Sequence, residues 1–195
     1  MTKSISLLFL FAFFSLVALS QTNTQTQKEC RITSGIGFAG ATNNTKSVGR
    51  DVWLQLDYKL SENISIATEF ENMGYKQPGY YKDLPINPNE IQVVDNNFSL
   101  LLKYHFPIKS AIKIAVSSGW TYTTRQSEYY IFTSISTSQE WFRNVTSFSD
   151  YRIPLLLEIE YSISKTLNIQ ARVKYNLNPQ NGDTYSSGIG LSLKL

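Results

Sequence analysis

Apolar and polar residues alternate along most of this chain, and that period of two constrains its fold more than any other feature. From Leu167 to Leu177 the odd positions are Leu167, Ile169, Ala171, Val173, Tyr175 and Leu177, while the even ones are Asn168, Gln170, Arg172, Lys174 and Asn176. Successive side chains of a strand point to opposite faces, so the segment reads as a β-strand with one apolar and one wet face. On a helix, residues two apart would scatter around the axis. The same alternation runs through Val52 to Leu60, Phe98 to Phe106, Ile112 to Tyr122, Ile153 to Ile163 and Ser187 to Leu195. Two weaker segments, Arg31 to Ala41 and Ile64 to Met73, bring the expected strands to eight. Pro154 removes a ladder donor inside one of them, which predicts either a bulge or proper pairing only beyond it.

The connections alternate in length. Ser61-Glu62-Asn63, Pro107 to Ser110 and Ser164-Lys165-Thr166 are short and polar, as tight hairpin turns require. Thr42 to Ser47 and Asn178 to Thr184 are moderate, and Tyr75 to Asp95 and Thr123 to Asp150 are long. The short turns fall on the same side as both termini. Residues 1–20 read as a secretory signal peptide: Lys3, an apolar run from Leu7 to Leu19, then Ala18-Leu19-Ser20 as a small-residue cleavage site. Residues 21–30 read as a flexible polar leader, and 31–195 as one barrel domain. The single cysteine, Cys30, follows no apolar lipobox and excludes an intramolecular disulfide. With 17% charged residues, a net charge of +3 and no basic block, the composition does not fit a nucleic-acid binder.

No apolar stretch beyond the signal is long enough for a membrane helix. A membrane location therefore requires a closed barrel, in which every backbone donor and acceptor is paired. The 13% aromatic content supports that location. Tyr58, Tyr104, Phe106 and Tyr161 are placed at the turn side, and Phe70, Trp120, Tyr122, Tyr151 and Tyr175 nearer the loops. Two aromatic belts a bilayer apart are expected of such a barrel. The wet faces hold Asp57, Glu69, Glu71, Glu158 and Glu160 with Lys59, Lys103, Lys113, Arg172, Lys174 and Lys194. In a membrane barrel this near-balanced set fills the lumen as a charge network, which plugs it. In a secreted lipocalin-like carrier, the alternative soluble reading, the same faces would point outward.

At this point the chain resembles the small eight-stranded outer-membrane proteins of the OmpX and OmpA-transmembrane type, and more loosely the generic outer-membrane β-barrels of Bacteroidetes. The resemblance rests on the signal peptide, the alternating strands, the loop asymmetry and the terminal strand Ser187 to Leu195. It implies an all-β, antiparallel, up-and-down transmembrane barrel in the outer membrane, monomeric and surrounded by lipid. It also implies that the terminal strand is read by barrel-assembly machinery, although such strands usually end in Phe and this one ends in Leu195. No family motif assigns functional residues.

Catalysis is not expected. His105 is the single histidine and lies beside a short turn, which suits lumen packing more than a general base. The pairs Glu69/Glu71 and Glu158/Glu160 are explained by salt bridges in the lumen. Nothing in the sequence calls for a metal, cofactor or nucleic acid. The four Asn-x-Ser/Thr matches, at Asn43, Asn63, Asn97 and Asn144, read as chance. An activity is expected at the loops, where Tyr129, Tyr130, Phe132, Trp141, Phe142 and Phe148 form a candidate contact surface. Thr123 to Thr133 and Glu140 to Asp150 could extend their strands as a protruding hairpin whose edge pairs with a protein partner. The functional expectation is an envelope-integrity or adhesion-like interaction protein, with a narrow porin-like channel as its rival.

Overall fold

A computed structural model describes residues 29–42, 48–78, 90–108, 111–135, 138–178 and 182–195. The expected signal peptide and residues 21–28 of the leader lie outside the described residues. Eight strands run in chain order: β1 (Cys30–Ala41), β2 (Gly49–Lys59), β3 (Ile64–Pro78), β4 (Glu90–His105), β5 (Ile112–Ile135), β6 (Ser138–Ser162), β7 (Leu167–Leu177) and β8 (Thr184–Lys194). Each pairs antiparallel with the next, and β8 returns to pair with β1, closing a barrel.

Alternation decides which face turns inward. Along β2, Asp51, Trp53, Gln55 and Asp57 are buried, while Val52, Leu54, Leu56 and Tyr58 are exposed. On β6, Arg152, Leu156, Glu158 and Glu160 face in, and Tyr151, Ile153, Leu155, Leu157, Ile159 and Tyr161 face out. A polar interior inside an apolar sleeve is the reverse of a lipocalin-like carrier.

The register fixes the tilt. Cross-strand partners lead from Cys30 through Tyr58, Ile66, Leu102, Ser118, Leu155, Tyr175 and Tyr185 back to Gly40, ten residues further along β1. With about 3.3 Å per residue and about 4.8 Å between strands, a shear of ten over eight strands tilts them by about 40°. Tyr151 and Tyr161, ten residues apart on β6, are then separated by about 25 Å along the barrel axis, the height of the apolar band in outer-membrane barrels.

Of the two long connections expected from sequence, Thr123 to Asp150 is mostly strand, and Tyr75 to Asp95 is strand at both ends. β3 continues to Pro78 and β4 begins at Glu90, while β5 and β6 stay paired from Ile112↔Tyr161 up to Ile135↔Ser138. Strands of 24 and 25 residues far exceed the 11 of β7 and β8, so one side of the barrel rises as a sheet well above the rest. For β5 and β6 this is the protruding hairpin expected over Thr123 to Thr133 and Glu140 to Asp150; the extension of β3 and β4 was concealed, because a ladder outside the bilayer needs no apolar face.

Pro154 makes no bulge. Ser118↔Leu155 and Thr121↔Arg152 keep one register on either side of it, so no residue is inserted, and its pairing with Asn176 on β7 continues. Proline costs the ladder to β5 its pairs at Gly119 and Trp120, and the same register resumes at Thr121.

Candidate functional site

Two regions could carry function: the lumen and the raised sheet. The lumen is filled in three tiers. In the middle, Arg172 on β7 reaches Asp51 at 2.9 Å, Glu71 at 2.6 Å and Glu69, and Lys174 reaches Glu69 at 2.6 Å and Glu71 at 2.8 Å. The Trp53 ring lies 3.7 Å from the Arg172 guanidinium carbon and covers its other side. β1 and β8 make room for that indole with glycine. A Cβ on Gly35 would meet the ring at 2.2 Å, and one on Gly188 would meet it at 2.7 Å.

Toward the extracellular end, Asp95 on β4 is held by Arg125 at 2.7 Å and Arg152 at 3.0 Å, and accepts a hydrogen bond from the Tyr75 hydroxyl at 3.1 Å. Arg152 also reaches Asp150 at 3.1 Å. Met73, Tyr75 and Val93 pack with Ala39 and Ala41 at the same level and close the mouth with apolar bulk. Toward the turn end, Lys103 sits 2.6 Å from both Asp57 and Glu158, and Gln170 donates to Glu158. Arg31 bridges Glu160 and Glu29, the latter at 2.6 Å. Gln55, Gln170 and Asn168 each keep a buried oxygen without a protein partner among the described residues, a lining suited to ordered water.

Opposed charges at these distances, with carboxylates sharing two cations, stabilise each other only because desolvation is repaid by several contacts at once. Among the described residues, no group of three metal-ligating side chains could hold an ion.

Of the charged residues singled out in the sequence, Asp57, Glu69, Glu71, Lys103, Glu158, Glu160, Arg172 and Lys174 lie buried in the lumen, and all are bonded there. Lys59, Lys113 and Lys194 are half-buried at the turn-side mouth, where Lys194 lies 3.4 Å from Glu29. Asp51, Asp95, Arg125 and Arg152 belong to the same network but lay beyond the expected strand ends. Each continues the inward phase of its strand, two residues past Trp53, Asn97, Thr123 and Pro154 respectively, and that phase is the signal that would have found them.

The aromatic residues form two levels. Tyr58, Tyr104, Phe106 and Tyr161 are exposed at the turn side, with Tyr104 and Phe106 edge to face at 5.4 Å. At the loop side Phe70, Trp120 and Tyr151 are exposed, whereas Tyr122 and Tyr175 are half-buried. Phe98 joins them in the cross-strand row Phe70, Phe98, Tyr122, Tyr151. Trp120 stacks on Tyr151 at 4.8 Å.

Sequence comparison agrees with this architecture. The family model for the outer membrane protein beta-barrel domain matches residues 9–194. The chain belongs to that family. No curated protein matches it. The solved structures it is similar to include Neisserial surface protein A, with a TM-score of 0.56 at 11% identity over 87% of this chain and 98% of that one. OprG from Pseudomonas aeruginosa has a TM-score of 0.57 at 12% identity, covering 86% and 96%. Ail, the attachment invasion locus protein of Yersinia pestis, has a TM-score of 0.55 at 11% identity, covering 87% and 100%. At such identities the likeness is one of fold. This outer-membrane barrel protein therefore sits in lipid with its short turns on the periplasmic side.

The raised sheet is the second region. Above the Tyr151 level, β6 pairs with β5 alone among the described residues, because its ladder to β7 begins at Ile153. Val145, Thr146, Ser147, Phe148 and Ser149 are all exposed. Phe148 packs under Arg125, whose guanidinium carbon lies 5.6 Å from the ring centre. Tyr129, Tyr130, Phe132, Trp141 and Phe142 belong to the backbone of this hairpin, and their side chains lie outside the described residues.

Proposed function

We propose that this protein acts outside the cell surface as an interaction or adhesion-like protein, and that the raised β5–β6 hairpin is its working part. One observation carries the reading: the stretch Val145 to Ser149 is exposed on both faces and, among the described residues, has a ladder partner on one edge only. An exposed strand edge is a template for an added strand, and proteins normally blunt such edges with lysine or proline. Val145-Thr146-Ser147-Phe148-Ser149 contains neither. The filled lumen supports the same reading, because transport through the barrel would have to break several buried ion pairs at once.

The test keeps the membrane barrel and removes the hairpin. Replacing Ser127 to Thr146 by Asn-Gly closes the strands at the pair Gln126↔Ser147 with a two-residue turn. Cells displaying the full chain and the shortened one are compared for attachment to immobilised extracellular-matrix protein, with heat-modifiable gel migration as the folding control. Attachment lost with migration retained is expected; attachment retained by the shortened chain rules out the hairpin.

A further inference from the structure

The periplasmic mouth contains a pocket of about 200 Å³, lined among others by Arg31, Lys59, Lys113, His105, Phe106 and Ile108. Its three lining carboxylates equal its Arg31, Lys59 and Lys113 in number but are not shared evenly among them. Arg31 is neutralised by Glu29 and Glu160, and Lys194 shares Glu29. Asp57, which also lines the pocket, is turned to Lys103. The remaining lining carboxylate, Glu62, is exposed on the turn after β2 and makes no ion pair among the described residues. Lys59 and Lys113 are therefore left half-buried, lining one pocket, with no ion pair among the described residues.

The other walls add two kinds of contact. His105 Nε2 is 2.8 Å from Ser65 Oγ, which fixes the imidazole beside the lysines. Phe106, Pro107 and Ile108 supply an apolar wall. A half-buried ammonium group is stabilised by an anion that replaces its lost hydration. Two such groups in one pocket match one dianion better than a single carboxylate.

We infer that this vestibule binds a phosphate monoester carrying a short apolar arm, with Lys59 and Lys113 on the phosphate and Phe106 and Ile108 against the arm. A phosphate monoester carries about −1.5 to −2 charge at neutral pH, which answers both lysines. The phosphate reaches the site from the periplasmic side, either as a soluble ester or as a headgroup in the inner leaflet. The site is independent of the extracellular hairpin.

The test uses the full-length protein in a non-ionic detergent, titrated calorimetrically with butyl phosphate, inorganic phosphate and butylammonium. Butyl phosphate is expected to saturate one site and to bind more tightly than inorganic phosphate, while butylammonium gives no saturable heat. Lys59→Gln with Lys113→Gln weakens butyl phosphate by about tenfold or more, and Lys59→Arg with Lys113→Arg restores it. Heat-modifiable migration verifies that each variant is folded. In phosphatidylcholine nanodiscs, loss of butyl phosphate binding on adding phosphatidic acid assigns the site to a lipid headgroup, and its persistence assigns it to a soluble ester. No saturable binding by the full-length protein, or equal affinity in the glutamine variant, overturns the inference.

Discussion

The membrane-embedded half of the barrel and the sheet above it are built from the same strands under opposite rules. Within the bilayer, every outward position from Ile153 to Tyr161 is apolar, and the buried charges Glu69, Glu71, Asp95, Lys103, Glu158, Arg172 and Lys174 each have a partner. Above it, Val145 to Ser149 on β6 is exposed on both faces. The embedded half cannot change one residue without disturbing others, because its charges share ligands. The raised half can change sequence at little cost to stability, and for that reason it is the part free to take on a partner.

The sharpest way to break this contrast is to remove a shared cation. Arg172→Ala leaves Glu69 and Glu71 with Lys174 as their cation, takes from Asp51 its ion pair among the described residues, and uncovers the Trp53 ring. A loss of about 3–5 kcal/mol is expected, measured by denaturant unfolding in lipid vesicles, because the carboxylates remain buried. Gly188→Ala is expected to cost about 1–3 kcal/mol, since its Cβ would stand 2.4 Å from the Ile36 carbonyl oxygen and 2.7 Å from the Trp53 ring. Unchanged unfolding in either variant would mean that the lumen is looser than these contacts require. Replacing Ser127 to Thr146 by Asn-Gly should change stability by no more than about 1 kcal/mol while abolishing attachment, so a large stability loss would place the hairpin among the structural elements.

The smallest effect concerns Glu29, ahead of the first membrane strand. Its partial burial raises the carboxyl pKa, but the Arg31 hydrogen bond and the charges of Arg31, Lys194 and Lys59 outweigh this and bring it down to about 2. A depressed folded-state value means that the contact is present above the ordinary 4.5 and is lost as pH falls through about 2. Carboxyl NMR titration of Glu29 should show that low midpoint, and Arg31→Gln should move it upward. A midpoint that ignores Arg31 would show the pair to be unformed.

The contrast also explains what was legible in the sequence. β2, β7 and the lower half of β6 could be read because the bilayer demands an apolar outward face, and Leu167 to Leu177 states that demand residue by residue. The same strands became illegible where they left the lipid. Thr124 to Glu128 and Val145 to Ser149 carry no alternation, although their ladder is intact. Asp95 and Arg125 were hidden with them. Which charges meet depends on the shear of the closed barrel: Arg172 joins Glu71 across the lumen, a pairing that no local pattern encodes. Gly35 and Gly188 acquire their reason from Trp53, the cross-strand partner of Gly35 and two strands from Gly188, and from the close backbone of the strand beside each.

Single-channel recording in planar bilayers tests most directly whether function lies above the barrel and not through it. The tiers of Lys103, Arg172 and Arg152, each tied to carboxylates across the lumen, predict no steady conductance from the purified, heat-modifiable protein. Reproducible conductance steps that scale with salt concentration would contradict the sealed lumen and return the narrow channel to first place.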